Sequence, residues 1–159
     1  MTLAIRPAEL ADVPAIADLI RGLARFEKLE HEVTMTEDLL AKNLFGPRRY
    51  AEALIAEEDS VPVGFALFFH NFSTFLAKPG IYLEDLFVVP EQRGRGIGQA
   101  LLQRLAKIAV ERDCGRLEWA VLDWNRDAIG FYERLGARPN MDWTVYRLAG
   151  EALTSLGRE

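Results

Sequence analysis

Between Gly80 and Arg112 the sequence changes its period twice, and no other stretch constrains the fold as much. "GIYLEDLFVVP" is an apolar run rich in β-branched and aromatic residues, closed by Pro90, and reads as a strand. "QRGRGIG" follows, and then Ile97, Leu101, Leu105 and Ile108 recur at helical spacing to about Arg112. The unit is strand, glycine-rich loop, helix. Gly94, Gly96 and Gly98 let main-chain N–H groups face an anion without side-chain obstruction, and the helix N-terminus adds a positive partial charge. Arg93 and Arg95 flank the turn and can add charge-assisted hydrogen bonds. A phosphate is the natural guest, and a tight turn that holds no ligand is the alternative.

The spacing narrows the choice of phosphate. A Walker loop needs a lysine after its last glycine, and none follows here. A Rossmann fingerprint needs G-x-G-x-x-G directly after a strand and an acidic residue about 20 positions on. Glu118 stands near that offset, but the glycines run G-x-G-x-G, and Pro90 to Arg93 separate them from the strand. R-x-x-G-x-G, from Arg93 to Gly98, is the pattern that fits.

The rest of the chain gives the loop its setting. "TLAIRPA" reads as a short strand broken at Pro7. In "ADVPAIADLIRGLARFEKLE", Val13, Ile16, Ala17, Ile20, Leu23 and Ala24 fall at helical spacing behind Asp12 as N-cap, and "TEDLLAKNLFG" predicts a second helix from near Thr36 to Gly46. "YAEALIAEE" and "VPVGFALFFHNF" predict neighbouring strands joined by a turn. "RLEWAVL" predicts a strand, "NRDAIGFYERLG" a helix capped by Asn125 and closed by Gly136, and "DWTVYRLA" a last strand. This order predicts an α/β or α+β domain around a mixed sheet.

Composition sets the class. With 159 residues, half of them hydrophobic, the chain is expected to form one domain over residues 1–159, with a core about 3–149 and a short C-terminal tail. A net charge of -5 argues against a nucleic-acid partner and leaves room for a cationic small molecule. One cysteine excludes an internal disulfide, and neither a leader pattern nor a long apolar run is visible, so a cytoplasmic protein with no membrane partner is expected. No metal is expected, because no zinc spacing or carboxylate cluster is present; Cys114, His31 and His70 are read as structural or surface residues.

With "LEDLFVVPEQRGRGIGQALL" followed by "DWNRDAIGFYERLGA", the sequence resembles the GNAT superfamily of acetyl-CoA-dependent N-acetyltransferases, over nearly the whole chain. "IRPA", "LARFEKLE", "YLEDLFV", "RGIG" and "WNRDAIGFY" are similar to its diamine (spermidine/spermine) and thialysine N-acetyltransferase branch. The resemblance implies a mixed, mostly antiparallel central sheet flanked by helices, acetyl-CoA as co-substrate, a small amine as acceptor and a homodimer. It implies that Leu86, Phe87 and Val88 hold the pantetheine arm and acetyl group, that Arg93, Gly94, Arg95, Gly96, Ile97, Gly98 and Gln99 cradle the pyrophosphate, and that Asn125 contacts the cofactor. Tyr132 is implied as the acid that protonates the departing thiolate, and a phenol with a pKa near about 10 suits that role.

An amine with a pKa near about 10 must lose a proton before it attacks a thioester. Glu84 matches the family's base and Asp85 stands beside it, while Glu27 matches an acidic position that contacts the acceptor. Adjacent strand residues point to opposite faces, so Glu84 and Asp85 share one cleft only if the strand is bulged there. "NFSTFLAKPG" lacks the acidic residue and tryptophan of the polyamine enzymes and carries Lys78, and Ala128 stands where those enzymes have serine. A short diamine or lysine-like amine is therefore expected rather than spermine. A protein lysine or N-terminus as acceptor, and an acyl-CoA sensor without turnover, are the alternatives.

Overall fold

The computed structural model describes residues 2–158, and the chain divides into two compact units between Ala120 and Val121. The first holds a five-stranded sheet in the order β1 (Leu3–Pro7), β2 (Glu52–Glu58), β3 (Val61–Ser73), β4 (Lys78–Val88) and β5 (Leu117–Trp119). The first four strands are antiparallel neighbours, and β5 joins β4 in parallel after helix α3 (Ile97–Glu111). The β2–β3 turn is tight because Asp59 and Ser60 both take left-handed backbone, φ 49° and 69°.

One face of the sheet is covered by α1 (Val13–Glu27) and α2 (Glu37–Phe45), whose Ile16, Leu19 and Leu44 pack with Ala53, Ile55, Phe65 and Phe87. α3 buries Ile97, Leu101, Leu102, Leu105 and Ala109. Each such aliphatic or aromatic side chain taken fully out of water stabilises the fold by about 1.5–3 kcal/mol. α2 starts as its sequence predicts, with Thr36 Oγ accepting the Leu39 N–H at 3.2 Å.

Asp12 does not cap α1 with its side chain. Its backbone is already helical (φ -83°, ψ -5°), so the carboxylate turns back to accept the Glu9 N–H at 2.7 Å and two Arg6 donors at 2.7 and 2.8 Å. Arg6 Nε reaches Glu57 at 3.0 Å, which ties β1, β2 and the start of α1 together. The Arg6 hydrogen bonds hold the Asp12 carboxyl below its ordinary range.

The second unit contains α4 (Arg126–Arg134) and α5 (Gly150–Leu156). Asn125 Oδ1 accepts the Ala128 N–H at 3.3 Å, and Gly136 closes α4 with φ 96°, both as predicted from sequence. The strand expected in "DWTVYRLA" is absent: Trp143, Val145 and Tyr146 are 77–91% exposed, and no ladder pairs them among the described residues. Alternation alone does not make a strand without a neighbour to bond. The strand expected in "RLEWAVL" is likewise shortened to Leu117–Trp119, and α5 occupies the expected tail. Among the described residues no helix is long and apolar enough to cross a membrane.

Candidate active site

The site is built on the downstream half of β4. β3 pairs with β4 as far as Val88, whereas β5 pairs only with Ile81, Tyr82 and Leu83. From Glu84 to Val88, then, no strand among the described residues covers the edge of β4 that faces away from β3. Leu86 is half-buried, and Phe87 and Val88 are buried, so their side chains serve the core while their main chain borders the uncovered edge.

The strand is bulged at the two carboxylates. Leu67 pairs with Asp85 and Phe68 with Leu83, leaving Glu84 as the extra residue. Upstream, Ile81 and Leu83 share the face of Phe68; downstream, Asp85 and Phe87 share the face of Leu67 and Phe65, on which α1 and α2 pack. Glu84 is exposed and Asp85 half-buried. Burial, then the charges of Glu84 and Glu27, push the Asp85 carboxyl up to about 6. Glu27, in the last turn of α1, is raised by burial. The bulge is the condition under which neighbouring carboxylates act together, and Asp85 feels both of the others.

Tyr82 also joins this region, and sequence reasoning missed it. Its ring lies 5.4 Å from that of Phe69, and its phenol is raised by burial and by the charges of Glu84 and Glu118. Its position two residues before Glu84 was the available signal. Glu118 accepts from Asn71 Nδ2 at 3.1 Å. Lys78 Nζ pairs with Asp113 Oδ1 at 3.0 Å.

After β4 the chain makes one 3-10 turn at Pro90–Gln92 and enters the glycine loop. Gly94 and Gly96 are left-handed, φ 81° and 80°, and a Cβ at either would meet no atom within 4 Å. Their requirement is conformational. Gly98 is different: it has ordinary backbone, and its added Cβ would make only van der Waals contact with Leu86, at 3.7 Å. The first bond of α3 runs from the Ala100 N–H to Gly96 O, so the amides of Ile97, Gly98 and Gln99 precede the helical ladder and suit an anion.

The two arginines have separate surroundings. Arg95 reaches Gln92 and lies 3.6 Å from Glu58. Arg93 donates Nε to Val88 O at 3.0 Å and stacks over Phe26 and Phe87. Asn125 and Tyr132 lie in the second unit, where Tyr132 is half-buried on α4 beside Phe131.

Residues 15–137, which include the whole of this strand, loop and helix, match the model of the acetyltransferase (GNAT) family. The chain belongs to that family. Its GNAT relatives extend the match to nearly full length. The mouse thialysine N-epsilon-acetyltransferase is 36% identical, with 96% of this chain and 95% of that one covered. The L-ornithine N5-acetyltransferase of Arabidopsis thaliana is 35% identical, over 97% and 87% of the two chains. Among solved structures, an integron cassette protein from the mobile metagenome of V. cholerae superposes with a TM-score of 0.83 at 27% identity, over 100% and 99% of the chains. The GNAT assignment makes this protein an N-acetyltransferase, and the mostly antiparallel sheet flanked by helices is the fold that the sequence resemblance implied.

Proposed function

We propose that this enzyme transfers the acetyl group of acetyl-CoA to the primary amine of a short acceptor, a lysine-, ornithine- or thialysine-like amino acid or a diamine. The observation that carries the acceptor class is the acidic face at the β4 bulge, where Asp85 is held at about 6 beside Glu84 and Glu27. Carboxylates on this face attract a cationic amine. A carboxylate whose pKa lies nearer neutrality is a stronger base than an exposed one and is still ionised at physiological pH. The names of the relatives, which act on thialysine and on ornithine, support the same class.

The chain's own groups fit acetyl-CoA. The left-handed glycines and the first amides of α3 provide anion-binding N–H groups for a pyrophosphate, together with Arg93, Arg95 and Gln99. The uncovered edge of β4 at Leu86, Phe87 and Val88 offers main-chain groups to a pantetheine arm. When bound, acetyl-CoA supplies an activated acyl thioester. In this reading Asp85 accepts the amine proton, directly or through water, with Glu84 as its electrostatic partner; Glu27 holds the acceptor's distal cation. Tyr132 Oη holds the proton destined for the departing sulfur, and Asn125 at the mouth of α4 contacts the cofactor.

With a single cysteine the chain has no internal disulfide to maintain, which is compatible with a reducing compartment such as the cytoplasm. Exposed Met141, Trp143, Val145 and Tyr146 suit a homodimer, in which a second copy covers them.

The test is consumption of acetyl-CoA with L-ornithine, lysine, thialysine, putrescine and spermine. Turnover is expected with the short amines and weakest with spermine. CoA binding with no turnover on any amine would turn the reading to a sensor. A Tyr132→Phe variant that turned over at the wild-type rate would remove Tyr132 from its role.

A further inference from the structure

Arg93 belongs to the glycine loop, yet its side chain lies along two other elements. Nε donates to Val88 O at 3.0 Å at the end of β4. The guanidinium carbon lies 4.4 Å from the ring centroid of Phe26, in the last turn of α1, and 5.4 Å from that of Phe87. Guanidinium is planar and weakly hydrated, so it packs on aromatic faces at low desolvation cost, which an ammonium does not.

Both rings lead to the acidic face. Phe26 immediately precedes Glu27, and Phe87 follows Asp85 by two residues on the same side of the sheet. Gly22, one turn before Phe26, seats α1 directly on Phe87: a Cβ there would come within 2.9 Å of the ring's Cε2. The end of α1 that carries Glu27 thus rests on Phe87 and under Arg93.

We propose that Arg93 is a positioning residue that couples the glycine loop to the acidic face, so that an occupied loop and an occupied acceptor site favour each other. The inference rests on the loop being the CoA cradle. If Arg93 served the pyrophosphate alone, only the cofactor would sense its loss. Because Arg93 is stacked on Phe26, a change in the loop displaces the end of α1, and by linkage a change in α1 alters the loop's affinity.

Calorimetry with CoA on the full-length chain tests the coupling. Phe26→Leu, which removes the ring from α1 and leaves every loop residue in place, is expected to weaken CoA about fivefold, and Phe26→Tyr, which keeps the ring, to bind as wild type. Arg93→Lys is expected to weaken CoA also, and the double variant Phe26→Leu/Arg93→Lys to be no weaker than Arg93→Lys. In turnover with whichever of L-ornithine, thialysine or putrescine reacts, Arg93→Lys is expected to raise the amine KM severalfold even at saturating acetyl-CoA. Wild-type CoA affinity in a folded Phe26→Leu variant, or an Arg93→Lys defect confined to the acetyl-CoA KM, overturns the coupling and leaves the proposed activity intact. A wild-type chain that binds no CoA sinks both.

Discussion

Two regions meet on β4 and are specified in opposite ways. The loop presents main-chain N–H groups whose directions are set by left-handed Gly94 and Gly96. A few residues upstream, the acidic face is an assembly of side chains: Glu27 from α1, with Tyr82, Glu84 and Asp85 from β4. A main-chain site tolerates change in its side chains and resists change in backbone conformation. A side-chain site does the reverse, because its chemistry depends on which groups crowd one carboxylate.

The largest effect that would sharpen this contrast is expected at Asp85. Asp85→Asn keeps the shape and removes the proposed base, and should lower kcat/KM by about 100-fold or more while leaving CoA affinity near wild type, read by steady-state kinetics and calorimetry. In the loop, Gly96→Ala should raise the acetyl-CoA KM about tenfold and cost about 1 kcal/mol or more of stability, whereas Gly98→Ala should stay within about twofold on both measures. If the Gly98 substitution were as damaging as the Gly96 one, space rather than backbone conformation would govern the loop.

Next comes the pH profile of kcat/KM, corrected for ionisation of the acceptor. It should rise through about pH 6 as Asp85 ionises. Glu27→Gln removes a negative neighbour, so the rise should move to lower pH. A profile that is flat across that range would detach Asp85 from proton transfer. The smallest expected effect is on stability. The folded-state pKa of Asp85 lies above its ordinary 3.8, so its contribution is fully present below that value and is lost as pH rises through about 6. Asp85→Asn should therefore melt at a higher temperature than wild type in mildly alkaline buffer, by about 1 kcal/mol in stability, and lose that advantage in strong acid.

The same contrast decides what the sequence made legible. Strand, glycine loop and helix could be read from Gly80 to Arg112 because glycine at a left-handed position and apolar residues at helical spacing are local requirements. The N-cap of α4 was readable at Asn125 for the same reason. Asp12 does stand at the N-cap position of α1, but its carboxylate makes no cap bond, because Arg6 and the Glu9 N–H take it instead. "DWTVYRLA" alternates like a strand, but a strand also needs an edge to pair with. Glu84 and Asp85 stood out through the family resemblance, but the bulge at Glu84 leaves no mark in "YLED", so their order of burial could not be read from it.

That bulge also separates two lines of inheritance within a single strand. Ahead of it, Ile81 and Leu83 share the face of Phe68; after it, the register against β3 has shifted by one residue, and Asp85 and Phe87 fall in step with the residues facing α1 and α2. On the proposed reading, substitutions at Tyr82 or Glu84 change the acceptor side of the strand and leave Phe87, Val88 and the loop beyond them in place. If the two sides serve acceptor and donor as proposed, one strand carries both and lets either be altered alone.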